Sequence, residues 1–497
     1  MDYYSLISGS DVRGVAIGEN AVLTESVGYR IGQAFAVFLN RRGIEQPRVN
    51  VGHDPRLSSP SLEQAIADGL ASAGALVQTF GLCTTPAMYM SLLGTPGADA
   101  SIMVTASHLP WERNGYKFFL PDGGITSATL RDILSIAAET ADHMRAGGEI
   151  TRSAYLPVYT EHLRDIFLTR LGRGNPDPFK GLHIIVDAGN GSGGFYAKLL
   201  ESLGADITGS QFLEPDGHFP NHIPNPENEA AMDSISQAVL RSKADLGVIF
   251  DTDCDRAAIV DETGREINRN RLIALISAIL LKEQPGITVV TDSVTSSGLA
   301  NFIRLHGGRH LRFKRGYRNV IDEARRLTAE GVAAPLAIET SGHAALEENY
   351  FLDDGMYLVT RLLCEAVRLG KLGQSLSTLI ADLKEPAEST EIRFNILDPD
   401  FKTAGQKVID QVIAYAKAHD SWHPAADNHE GIRISFDLDG VTDSAWFLLR
   451  LSLHDPVLPL NIESDVPGGI VKVARELSCA LEGAQGIDCA PLTALLN

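Results

Sequence analysis

Three carboxylates stand at alternate positions in Asp251-Thr252-Asp253-Cys254-Asp255-Arg256, directly after the apolar run Leu246-Gly247-Val248-Ile249-Phe250. Like charges crowded at the end of a buried strand are costly unless a cation compensates them. Oxygen donors favour a hard dication, magnesium first. A solvated aspartate-rich turn is the competing reading, and the apolar run upstream argues against it. Cys254 reads as a bystander, because flanking aspartates raise a thiol's pKa. A second loop, Thr105-Ala106-Ser107-His108-Leu109-Pro110, sets a hydroxyl beside an imidazole. A serine accepts a phosphoryl group when a metal neutralises the developing charge and a cation steers it. Adjacency alone does not make Ser107 and His108 face each other, so a Ser/Pro turn is the alternative. Lys117, in Asn114-Gly115-Tyr116-Lys117, adds an ammonium for acid–base work or phosphate binding.

Two further loops carry polar sets. In Glu339-Thr340-Ser341-Gly342-His343 a carboxylate and a hydroxyl two residues apart suit vicinal sugar hydroxyls, with a helix cap or turn as the alternative. Arg450-Leu451-Ser452-Leu453-His454-Asp455-Pro456 gathers Arg450, Ser452 and His454, a set able to grip a phosphate through charge-assisted bonds and backbone N–H groups. A solvated strand end competes. The glycine-rich stretch from Asp187 to Gly194 lacks the dinucleotide-binding spacing and its acidic partner, and reads as a tight strand-to-helix turn.

Elements must bring these loops to their places. Strand candidates are Ser101–Val104, His183–Val186, Leu246–Phe250, Ile287–Val290 and Leu336–Ile338. Leu62, Ile66, Leu70 and Ala73 recur at helical spacing, with Ser59 as N-cap and Pro60 as first helical residue. This alternation predicts α/β layers with substantially parallel sheets. Three of the chemical loops follow strand ends, where open α/β sheets bind ligands, so three α/β units facing a shared cleft are expected. The last hundred residues differ: strands at Ile432–Phe436, Trp446–Leu451 and Val457–Ile462, then a helix from Gly469, predict a smaller α+β module. The expected domains are 1–155, 156–268, 269–388 and 389–497.

Composition bounds the rest. A chain of 497 residues exceeds what one core supports, and 44% apolar with 21% charged residues is ordinary for a globular protein. The net charge of −20 disfavours nucleic acid and anionic membranes as partners. No apolar run approaches the roughly 20 residues of a membrane span, and Met1-Asp2-Tyr3-Tyr4 does not open a secretory signal. Five scattered cysteines with no Cys-x-x-Cys pair argue against a disulfide framework or zinc site, and fit a reducing cytoplasm.

Taken together and in chain order, these loops resemble the signature set of the α-D-phosphohexomutase superfamily. Thr105–Pro110 is similar to its phosphoserine loop, Asp251–Arg256 to its metal loop Asp-Gly-Asp-Gly-Asp-Arg, Glu339–His343 to its sugar loop, and Arg450–Pro456 to its phosphate loop. Asp11-Val12-Arg13-Gly14, the stretch from Val51 to Pro60 and Phe219-Pro220-Asn221 extend the likeness over the whole chain. The resemblance implies four domains around a central cleft, three three-layer α/β domains and a smaller C-terminal α+β domain. It implies a phosphoryl group on Ser107, Mg²⁺ held by Asp251, Asp253, Asp255 and Ser107, and contact of Arg256 with the phosphoserine. Arg13, His108, Lys117 and His343 become acid–base or charge-stabilising candidates. Glu339, Ser341, Gly316, Tyr317 and Arg318 would meet the sugar, and Arg450, Ser452 and His454 the unreactive phosphate.

The implied activity is interconversion of hexose 1- and 6-phosphates of glucose or mannose, with a hexose 1,6-bisphosphate such as glucose 1,6-bisphosphate as intermediate or activator. Thr252 and Cys254 replace the glycines of the metal loop, so a different backbone is expected there if those glycines use positive φ. Leu109 replaces an asparagine and Tyr317 a histidine. Ser-His-Leu-Pro and Gly-Ser-Asp-Val-Arg-Gly also resemble a subgroup that makes glucose 1,6-bisphosphate from fructose 1,6-bisphosphate. A non-catalytic sugar-phosphate sensor and a simple phosphatase are the readings from other classes.

Overall fold

The strand Ala100–Val104 is buried at every residue and delivers the Ser107 loop from the middle of a mixed sheet. In the computed structural model, which describes residues 2–94, 97–139, 143–452 and 455–496, this sheet runs Ile7–Ser8, Asp11–Val15, Arg113–Leu120, Ala100–Val104, Arg48–His53, Leu76–Leu82, Glu149–Arg152. The last four are mutually parallel. Arg113–Leu120 and Asp11–Val15 run antiparallel, which places Arg13 opposite Gly115 and near the serine loop. Of these two only Arg113–Leu120 opposes the parallel strands, and it mixes polar and apolar residues. Helices Glu25–Arg41 and Ser59–Ser72 cover one face, with Phe35, Ile66, Tyr116 and Phe118 in the core. Their close crossing needs glycine: a Cβ on Gly69 would lie 2.0 Å from the Tyr29 carbonyl oxygen. The second helix starts at Ser59 with Pro60 in its first turn, and Ser58 occupies the cap position expected of Ser59.

A second sheet, Glu266–Ile267, Ala257–Asp261, Leu246–Phe250, Ile184–Asp187, presents the aspartate loop. Leu246–Phe250 is fully buried, parallel to Ile184–Asp187 and antiparallel to Ala257–Asp261. The stretch after Asp187 is the expected strand-to-helix turn, closing through a short 3₁₀ turn into the helix Phe195–Ser202. These elements belong to one compact unit, Met1–Leu272 with Ser341–Thr378, which also contains the hairpin strands Ala344–Leu346 and Leu352–Asp353 and the helix Gly355–Gly370.

The second unit, Ile273–Thr340 with Leu379–Asn497, contains three mutually parallel strands, Arg309–Phe313, Thr288–Asp292 and Leu336–Ile338. Its C-terminal part is an antiparallel sheet in the order Glu388–Asn395, Val457–Ser464, Val441–Leu449, Ile432–Leu438, His423–Pro424. Helices Phe401–Lys417 and Gly469–Ala480 pack Val412, Val473 and Leu477 against Phe447 and Leu460. All five cysteines are free thiols, and none of the described helices is long and apolar enough to cross a membrane.

Candidate active site

Ser107 is buried and holds φ 51°, a left-handed conformation uncommon outside glycine. Its amide donates to Thr105 Oγ1 at 2.8 Å, and that hydroxyl donates to Asp54 Oδ2 at 2.7 Å. The Arg56 guanidinium donates to the carbonyls of Ser107, Leu109 (2.7 Å) and Pro110 (2.7 Å). Arg13, paired with Asp11 at 2.8 Å, donates to the Thr105 carbonyl. So fixed, the Ser107 hydroxyl donates to Asp251 Oδ2 at 3.1 Å, and Arg256 Nη2 lies 3.4 Å from it.

His108 does face Ser107, with Nδ1 3.3 Å from Oγ, but the same nitrogen accepts from Arg256 Nη2 at 3.0 Å. Burial first, then the positive charges of Arg256, Arg13 and His343, push its pKa down to about 2. His108 is a neutral imidazole whose Nδ1 lone pair is shared with Arg256.

Asp251, Asp253 and Asp255 are fully buried, with ligand oxygens within 4.8 Å of one another. Lys117 Nζ donates to Asp255 Oδ2 at 2.5 Å, and Thr85 Oγ1 to Asp253 Oδ2 at 2.5 Å. Asp253 Oδ1 and Asp255 Oδ1 have no hydrogen-bond partner. Burial, then the charges of Asp255 and Asp253, raises the Asp251 pKa well above the usual carboxylate range. Burial also acts on Asp255, but Lys117, His343 and Arg256 outweigh it and hold that carboxyl low. Unpaired buried oxygens on crowded carboxylates are what a bound hard cation would satisfy, so the donor set fits a divalent metal. Cys254 is wholly buried, with its thiol pKa raised by burial and by the three aspartates. It takes φ 66° itself, whereas Thr252 has no positive φ. A side chain with a Cβ thus occupies a left-handed position in this loop, and Cys254 bears the strain of it.

His343 Nδ1 pairs with Asp353 Oδ2 at 2.7 Å and lies 3.8 Å from Asp255 Oδ1. Burial works against its charged form, yet Asp353 and Asp255 raise its pKa above the ordinary imidazole value. The first unit thus gathers Arg13, Ser107, His108, Lys117, the three aspartates, Arg256 and His343, with Ser341 buried two residues before His343.

Glu339, Gly316, Tyr317, Arg318, Arg450 and Ser452 belong to the second unit. There Glu339 Oε1 accepts from the Gly316 amide at 2.6 Å, and Arg318 pairs with Asp322 at 3.0 Å. Arg450 is buried, and Ser452 Oγ accepts from the Asp455 amide at 3.2 Å. His454 lies outside the described residues. Four contributors were not assigned roles from sequence: Arg56, Asp54, Thr85 and Asp353. Asp54 and Arg56 sit just after the strand Arg48–His53, a charged pair at a strand end that was a usable signal. Thr85 and Asp353 reach the site only through tertiary packing.

Three α/β/α domains and a β-rich fourth, with this loop set, have the α-D-phosphohexomutase fold. Residues 5–144, 157–264 and 268–386 match the phosphoglucomutase/phosphomannomutase α/β/α domains I, II and III, respectively. Phosphoglucomutase from Neisseria gonorrhoeae is 30% identical over 95% of both chains. A phosphohexose mutase from Xanthomonas campestris is 32% identical over 95% of this chain and 98% of its own. A solved phosphoglucomutase/phosphomannomutase family protein from Burkholderia thailandensis superposes with TM-score 0.81 at 28% identity, covering 98% of each chain. The chain belongs to the phosphoglucomutase/phosphomannomutase family, and is an isomerase of the phosphohexomutase type.

Proposed function

We propose that this protein interconverts the 1- and 6-phosphates of glucose or mannose through phosphoserine 107, with Mg²⁺ held by Asp251, Asp253, Asp255 and the seryl phosphate. One observation carries the reading: the Ser107 hydroxyl is held 3.1 Å from Asp251 Oδ2 among three buried carboxylates, two of which keep an oxygen that accepts no hydrogen bond. Mg²⁺ bound there would neutralise charge on the transferring group. The chain's own residues do the rest, by position and charge, as a loose anionic transition state requires.

Arg256 Nη2, shared between Ser107 Oγ and His108 Nδ1, is placed to follow the phosphoryl oxygens. In the forward transfer the phosphorus–Oγ bond of phosphoserine breaks as a bond forms to the free sugar hydroxyl. That hydroxyl's proton passes to a nearby base, and Oγ is left as an alkoxide-like oxygen beside Arg256 and Asp251. His343, held by Asp353, and Lys117, held by Asp255, are the acid–base candidates for this proton's removal and return. The sugar 1,6-bisphosphate so formed turns over, and its other phosphate returns to Ser107. Glu339 and Ser341 would hold sugar hydroxyls, Gly316, Tyr317 and Arg318 would shape the sugar site, and Arg450, Ser452 and His454 would grip the idle phosphate. Domain boundaries at 155/156, 268/269 and 388/389 and a cytoplasmic location accompany this reading.

A phosphorus NMR time course with Mg²⁺, glucose 6-phosphate and fructose 1,6-bisphosphate tests it, with Ser107→Ala as control. Glucose 1-phosphate with only trace bisphosphate is the expected result. Accumulating glucose 1,6-bisphosphate would make the enzyme a bisphosphate synthase, and equal behaviour of wild type and Ser107→Ala would end the phosphoserine mechanism.

A further inference from the structure

Arg56 takes part in no step above, yet it is the most completely enclosed cation at the site, with no exposed side-chain surface. Its Nε donates to Asp54 at 3.0 Å, and its two terminal nitrogens donate to carbonyls of Ser107, Leu109, Pro110 and Arg113. These bonds fix the Ser107–His108 and Leu109–Pro110 peptide planes, and so the left-handed turn that aims Ser107. One face of the guanidinium is left for a neighbour. Phe219 fills it, with its ring centroid 5.1 Å from the guanidinium carbon.

Phe219 comes from the other α/β layer of the same unit, and pays for its place in backbone strain. It sits at φ 50°, where a bulky side chain is rare unless its surroundings over-determine it. The loop is pressed against the Arg56 segment: a Cβ on Gly217 would lie 2.4 Å from the Pro55 carbonyl oxygen. His218 meets Trp111 at 5.7 Å between ring centroids. From Phe219 the contacts lead back to the aspartates. Asn221 Nδ2 donates to Asn190 Oδ1 at 2.7 Å, and two residues beyond Asn190 the Ser192 amide donates to the Thr252 carbonyl at 2.8 Å.

We propose that the Arg56–Phe219 contact is a positioning device that keeps the Ser107 loop in register with the aspartate loop, making phosphoryl transfer depend on an aromatic ring with no chemistry of its own. The inference rests on the phosphoserine reading only for its kinetic consequence. A desolvated cation–π contact is strong enough to matter, and a shift of about 1 Å at the reacting group costs on the order of a hundredfold in rate.

The test uses full-length Phe219→Leu, Phe219→Asn and Phe219→Tyr. Asparagine tolerates the left-handed backbone, so that variant removes the ring without adding strain. Amide hydrogen exchange of the peptide 105–111 reads the device without substrate. Leucine and asparagine should speed exchange there about tenfold, leave the other strands of the sheet unchanged, and lower kcat about thirtyfold with KM little altered. Tyrosine should restore both. Unchanged exchange in 105–111, or a rise spread evenly over the sheet, would overturn the proposal. If wild type turns over no hexose phosphate, the phosphoserine reading falls while exchange still decides the positioning. If wild type is active and exchange does not move, the positioning falls alone.

Discussion

Cys254 shows how far a single residue can be read. Its inert thiol follows from the flanking aspartates, and in the structure burial and those aspartates do push the thiol pKa up. Its backbone does not follow, because φ 66° is a property of the folded loop and not of the residue type. The strain gives a test. At an ordinary position glycine is less stable than alanine, but a residue forced left-handed pays roughly 1 kcal/mol or more for its Cβ. Both replacements remove the thiol, and only glycine removes the Cβ. Cys254→Gly should therefore unfold at higher urea than Cys254→Ala, by about 1 kcal/mol, with the Mg²⁺ affinity of the two variants alike. The usual order, alanine above glycine, would mean the left-handed geometry at 254 costs nothing. Thr85 and Asp353 mark the opposite limit. Each is an unremarkable polar residue in sequence, and each becomes part of the site only because distant segments fold against one another.

At the scale of elements, apolar runs were the reliable guide. Ala100–Val104 and Leu246–Phe250 are buried at every position, and both were legible as strands. Glu388–Asn395 was not, since it is mostly charged and polar and only Phe394 in it is buried; pairing with Val457–Ser464 makes it a strand. Loop-to-loop fastening was also hidden. His222 Nε2 meets Asp187 at 3.1 Å while its Nδ1 faces the Ile223 carbonyl at 2.9 Å, so both ring nitrogens have acceptors and the imidazolium form is the one that fits. Burial opposes that charge, but Asp187 and the carbonyl raise the pKa above the ordinary imidazole value of about 6.5. A raised folded pKa adds stability that is complete below the unfolded value and is lost as pH climbs through the folded one. Wild type should lose unfolding free energy between pH 6 and the alkaline side of neutrality. His222→Gln should cost about 2 kcal/mol at pH 6, for an ion pair broken beside a buried carboxylate, and less at pH 8.5. Urea titrations at the two pH values check this, and an equal cost at both would show that His222 is neutral in the folded protein.

At the scale of the whole molecule, a net charge of −20 sets the average field against an anionic substrate, so the cations must act locally. The first unit holds Arg13, Lys117 and Arg256 together with the three aspartates. Metal stabilisation should therefore be confined to one unit. A ligand at about 100 times its Kd adds about 2.7 kcal/mol to whatever binds it, enough to raise a melting transition by several degrees. The tryptophans separate the units, because Trp111 lies in the first and Trp422 and Trp446 in the second. In Trp111→Phe, fluorescence reports the second unit alone, while calorimetry sees both. Saturating Mg²⁺ should raise a calorimetric transition and leave the fluorescence melt in place, and Asp253→Asn should abolish the calorimetric shift. Asparagine can still accept from Thr85, so the loss would come from the missing charge and not from a broken loop. A fluorescence melt that moves with Mg²⁺ as far as the calorimetric one would mean that the chain unfolds as a single cooperative body; a calorimetric trace that Mg²⁺ leaves unmoved would take the metal away from the aspartates.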